Sequence, residues 1–114
     1  MKIALTNLPP EHGERIARLL VEEHIVACVN LYPVHSIYSW KGEVCSEAEV
    51  TLMMKVSTQG IERLKQRICE LHPYELPEFV VIEVDNNASL REYIDFVKGE
   101  THLYSAWSHP QFEK

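Results

Sequence analysis

The chain has 114 residues, 46% hydrophobic and 25% charged, with a formal net charge of −6. That length sets one domain able to bury roughly two-thirds of its unfolded surface, so folding requires neither a disulfide framework nor a structural metal. The acidic surplus excludes electrostatic capture of nucleic acid or of an anionic membrane, and no apolar run nears the ~20 residues of a membrane span.

Residues 2–6 form a short β-prone opening. Pro9-Pro10 with Glu11 and Glu14 marks a helix start, proline being preset for the first turn and the acids facing the positive end of the dipole. Ile16, Leu19, Leu20 and Ile25 then share one helical stripe, with Arg15, Arg18, Glu22 and Glu23 turned to water. The period changes to two over residues 27–32, a strand that Pro33 is expected to end or bend. Residues 35–40 and 49–56 are two further strands. Between them, Lys41-Gly42 and an acidic stretch predict a hairpin with a long or bulged connection, residues 43–49 reading as a solvated loop.

Val50, Leu52, Met54 and Val56 line one face of the 49–56 strand, and Glu49, Thr51, Met53 and Lys55 the other. Ser57 or Thr58 is a candidate cap for a second helix with the stripe Ile61, Leu64, Ile68 and Leu71, ending before Pro73. The β-formers of residues 79–84 predict a central strand buried on both faces. A last helix carries Leu90, Tyr93, Ile94 and Val97 after a Ser89 cap and stops at Gly99. The order β-α-β-β-α-β plus a C-terminal helix gives an α+β fold, the ferredoxin-like plait. Residues 1–104 are assigned to that domain. Residues 105–114, ending Trp107-Ser108-His109-Pro110-Gln111-Phe112-Glu113-Lys114, read as a streptavidin-binding purification tag with its linker.

Cys28, Cys45 and Cys69 are odd in number and widely spaced, which predicts reduced thiols rather than a disulfide framework or zinc ribbon. With no secretory signal over residues 1–8, a cytoplasmic protein is expected. No nucleophile elbow, phosphate-binding glycine loop or M-x-C-x-x-C motif is present, so an enzyme is not expected and no organic cofactor is implied. Cys69 and His72, three apart near a helix end, place a thiolate and an imidazole on one face and are the candidate ligands for copper or another divalent metal. His72-Pro73-Tyr74-Glu75-Leu76-Pro77-Glu78 is a stiff connection whose prolines hold a platform for His72, Tyr74 and Glu78 at the rim of the sheet.

Ala27-Cys28-Val29-Asn30, Ser36-Ile37-Tyr38-Ser39-Trp40-Lys41-Gly42, Glu49-Val50 with Lys55, and the His72 to Glu78 run together resemble the CutA-type divalent-cation-tolerance proteins. The resemblance implies a homotrimer, similar in design to the nitrogen-signalling PII proteins, and a link to divalent metals, chiefly copper. The copper ligands it implies are a cysteine where this chain has Leu5 and two consecutive histidines where it has Leu71 and His72. Only His72 matches, and Cys69 is the substitute thiolate. The alternative is a trimeric small-ligand sensor or interaction scaffold without a metal site, its intersubunit cleft lined by Tyr38, Trp40, Glu49, Lys55, Tyr74 and Glu78.

Overall fold

The structure, a computed structural model, describes residues 1–103; Tyr104 and the expected tag lie outside the described residues. The chain runs β1 (Lys2–Leu8), α1 (Pro10–Glu22), β2 (Cys28–Trp40), β3 (Glu43–Val56), a 3-10 turn (Thr58–Gly60), α2 (Ile61–Leu71), β4 (Val80–Glu83) and α3 (Arg91–Glu100). All pairings are antiparallel in the order β2-β3-β1-β4, which is the ferredoxin-like plait with an added helix.

Burial follows the two periods. Ala4 and Leu8 of β1, with Leu52, Met54 and Val56 of β3, meet Ile16, Ala17 and Leu20 of α1 and Leu64 and Ile68 of α2 in one core. Each large side chain so buried contributes roughly 1.5–3 kcal/mol. Helix α1 starts with Pro10 in its first turn and Glu11 against the dipole, and its chain leaves through His24 at φ 57°, the left-handed position more often given to glycine. Gly13 lets α1 lie directly on β3, since a Cβ there would sit 2.6 Å from Val50 Cγ1.

Several expectations are corrected. Pro33 does not end a strand: it lies within β2 opposite Val50, tolerated because β2 is an edge strand on which a missing N–H can face outward. Residues 43–49 are not a loop. They extend β3 to a two-residue turn at Lys41-Gly42, whose φ values of 51° and 83° match the twist of a tight hairpin. The strand at 79–84 is not central, because β4 pairs with β1 on one side only and exposes Val80, Val81 and Ile82. Its β-branched run is an edge whose apolar side chains the described residues leave partly exposed. Finally, α3 continues through Gly99 to Glu100, with Leu90 at its N-cap while Ser89 Oγ donates to the Asp85 carbonyl at 2.7 Å; the 3-10 turn likewise begins at Ser57 without a side-chain cap.

Candidate functional site: an acidic, aromatic cleft

The connection between α2 and β4 is fastened to the end of β1. Thr6 Oγ1 donates to the Glu78 carbonyl at 2.6 Å, and Asn7 Nδ2 donates to Glu78 Oε1 at 3.4 Å. Asn7 sits opposite Thr51 in the β1–β3 register and accepts from its hydroxyl at 2.6 Å. His72 completes the fastening. It lies 2.8 Å from the Asn7 carbonyl through Nε2 and 3.2 Å from the Tyr74 N–H through Nδ1. A carbonyl requires a donor and an amide requires an acceptor, so the ring is the neutral tautomer with its proton on Nε2. Burial lowers its pKa, opposed by the Asn7 hydrogen bond and the Glu49 charge, in keeping with that neutral form.

With Pro73 and Pro77 stiffening this connection, Tyr74 is held over β3, and its hydroxyl donates to Glu49 Oε2 at 2.7 Å. Glu49 is only 5% exposed. Among the described residues Tyr74 is its one hydrogen-bond donor, which leaves Oε1 without one. Around this pair opens a cleft of about 570 Å³ bounded by Asn7, Tyr38, Trp40, Glu49, Tyr74 and Glu78, with Glu75 and Leu76 at the side. Among the described residues no lysine, arginine or histidine lines it. The electrostatics follow from that lining. Desolvation and then the Glu49 carboxylate push the Tyr74 phenol well up, and desolvation followed by Glu47 pushes Tyr38 up to about 12. Burial, and next the charge of Glu49, raise Glu78 above the usual carboxylate range.

Within a single protomer, Tyr38, Trp40, Glu49, Tyr74 and Glu78, five of the six residues expected at an intersubunit cleft, come together. Lys55 does not: it is six residues beyond Glu49 on β3, about 20 Å along the strand, with its ammonium hydrogen-bonded to Asn30 Oδ1. The ligand pair Cys69 and His72 does not fit a copper site. Cys69 is exposed on α2, whereas His72 is 92% buried with both ring nitrogens engaged, leaving no lone pair for a metal. Among the described residues no three His, Cys, Asp or Glu side chains gather around a metal-sized position. Leu5 and Leu71 offer no ligand atom, Leu5 lying in β1 opposite Met53. Sequence reasoning missed Asn7, the joint of the whole arrangement. Its signal was a carboxamide within a strand, where asparagine is unfavourable unless its side chain has partners.

A ferredoxin-like plait carrying an acidic, aromatic cleft beside a proline-braced connection is thus the class of protein defined by fold and site. The family model described as CutA1 divalent ion tolerance protein matches residues 2–100. A relative from Thermus thermophilus named divalent-cation tolerance protein CutA is 40% identical over 102 residues, covering 88% of this chain and 97% of that protein. The crystal structure of CutA1 from Pyrococcus horikoshii superposes with a TM-score of 0.84 at 34% identity, over 90% of this chain and 99% of that one. The Thermus thermophilus structure gives 0.83 at 39% identity, over 90% of this chain and 100% of that one. The chain belongs to the CutA1 divalent-cation-tolerance family.

Proposed function

We propose that this protein serves divalent-cation tolerance as a homotrimeric, non-enzymatic cation receptor in the cytoplasm, taking its ligand in the Tyr74 cleft rather than at Cys69 and His72. One observation carries the reading: a nearly buried carboxylate, Glu49, which among the described residues has one oxygen unused and lies in a cleft whose charged lining is acidic. Divalent metal would meet Glu49 and Glu78, oxygen donors that suit manganous or magnesium ion better than copper. The trimer is supported by the two open sheet edges, β2 and β4, and by exposed Val80, Val81 and Ile82 on the second. Placement in the cytoplasm is supported by Cys28, Cys45 and Cys69, all of them free thiols. Relatives named chloroplastic, from Arabidopsis thaliana, and periplasmic, from Archaeoglobus fulgidus, show that the family reaches other compartments.

Equilibrium dialysis against manganous ion and copper(II), with sedimentation to read the assembly, tests the proposal. Glu49→Gln is expected to weaken manganous binding about tenfold while Cys69→Ser leaves it unchanged. If Cys69→Ser removes the bound metal and Glu49→Gln does not, the site lies on α2 and the reading is wrong.

A further inference from the structure

We propose that the same cleft selects a small primary alkylammonium ion, its charged head hydrogen-bonded to Glu49 Oε1 and its alkyl part against Trp40, Tyr38 and Tyr74. This rests on the reading of the cleft as a cation site and names which kind of cation the lining prefers.

Three observations lead to it. The lining pairs carboxylates with three aromatic rings, and aromatic faces attract cations while also covering hydrocarbon. A bare metal ion gains little from such rings, whereas an ion with an apolar body uses both properties. Second, Glu49 is 95% buried, accepts one hydrogen bond from Tyr74 and keeps Oε1 for a donor, and the N–H groups of a primary ammonium supply one. Third, the rim already holds a group of this chemistry. The Lys41 ammonium stands 5.4 Å from the centroid of the Trp40 ring and 3.5 Å from Glu75 Oε2. It is an exposed side chain at the mouth, so it marks how an alkylammonium sits against this ring without filling the cleft. A space of about 570 Å³ lies in the ordinary range for small-molecule sites.

Calorimetric titration of the full chain with butylammonium, with pentanol, one heavy atom longer and more apolar, as the uncharged control, tests the assignment. Butylammonium is expected to bind and pentanol to bind at least tenfold more weakly, a difference of about 1.4 kcal/mol. Trp40→Leu is expected to weaken butylammonium about tenfold while Trp40→Phe keeps most of the affinity, because the phenyl face still attracts the cation. Lys41→Gln is expected to tighten binding roughly threefold by removing the resident ammonium, a gain that a damaged fold does not produce. Manganous ion, titrated in parallel, separates the two readings. Retained manganous binding in Trp40→Leu with butylammonium lost supports the proposal. Manganous binding without any butylammonium binding overturns it and leaves the cation receptor standing. No response to either ion removes both. Pentanol binding as tightly as butylammonium, or dissociation of the assembly by butylammonium in sedimentation, also overturns it, the latter by assigning the cleft to a lysine of a second copy.

Discussion

From Val50 to Lys55, β3 is paired on both sides, with β1 and β2, and Leu52, Met54 and Val56 are fully buried beneath the helices. From Glu43 to Glu49 the same strand pairs with β2 only, and Val44 is 80% exposed. One half is held by burial, the other by its hairpin turn and by main-chain hydrogen bonds. Glu49 lies at the junction, and that position explains its chemistry. It is far enough into the sheet to lose water and close enough to the hairpin arm to share a cleft with Tyr38 and Trp40. The candidate cleft thus lies where the dry and the wet regimes meet.

The largest expected effect belongs to the dry half. Leu52→Ala should cost about 3 kcal/mol, the transfer term plus a cavity under close-packed helices. Val44→Ala should change stability by less than about 0.5 kcal/mol. Urea denaturation at one fixed protomer concentration compares them. A loss at Val44 approaching that at Leu52 would break the contrast between the halves.

At the junction His72→Gln is expected to cost about 2 kcal/mol, since the shorter amide cannot serve both the Asn7 carbonyl and the Tyr74 N–H as the ring does. It also carries a pH signature. The folded pKa is lowered below 6.5, so the unfolded chain binds the proton first. Stability owed to the neutral ring is complete above pH 6.5 and is lost as pH falls from there through the lowered folded value. The difference between wild type and His72→Gln should therefore shrink over that acid window. A difference independent of pH between 7 and the acid limb, as read by thermal denaturation, would mean that His72 is not buried as the neutral tautomer.

The contrast also explains what could be read from the residues. The stripes Ile16, Leu20 and Leu64, Ile68 and the alternation Leu52, Met54, Val56 are imprints of burial, and there periodicity located the elements and the core. Residues 43–48 form a two-stranded arm without a buried face, so no alternation was imposed and the charges suggested a loop over 43–49. At β4 the failure was the reverse: an apolar run signalled burial, but not whose surface does the burying. Tyr38, Trp40, Glu49, Tyr74 and Glu78 were legible as a family pattern, whereas Asn7 and the distance of Lys55 depended on register. Register is a property of strand pairs and leaves little trace in either strand.

Tyr74→Phe is a smaller probe of the junction. It removes the one donor to Glu49 found among the described residues and should cost about 1 kcal/mol, measured by the same denaturation. It also leaves both carboxylate oxygens open to the cleft, so cation affinity should hold or rise while stability falls. Parallel loss of both would show that Tyr74 shapes the cleft rather than merely bonding to its floor.

The smallest expected effect is at Glu78, and its sign is opposite to that of His72. Burial and the neighbouring Glu49 charge raise the folded pKa above 4.5, so the folded protein holds this proton more tightly than the unfolded chain does. The contribution is fully present below pH 4.5 and is lost as pH rises through the raised folded value. At neutral pH the ionised Glu78 thus opposes folding slightly. Glu78→Gln removes that opposition and should melt a little higher than wild type at pH 7, with the advantage disappearing below about pH 4.5. A cation in the cleft offsets the same repulsion, so saturating manganous ion should reduce the advantage at pH 7 as well. A variant less stable than wild type at pH 7 would show that the 3.4 Å bond from Asn7 outweighs the repulsion, and that the acidic side of the junction is bound together more strongly than its charges push it apart.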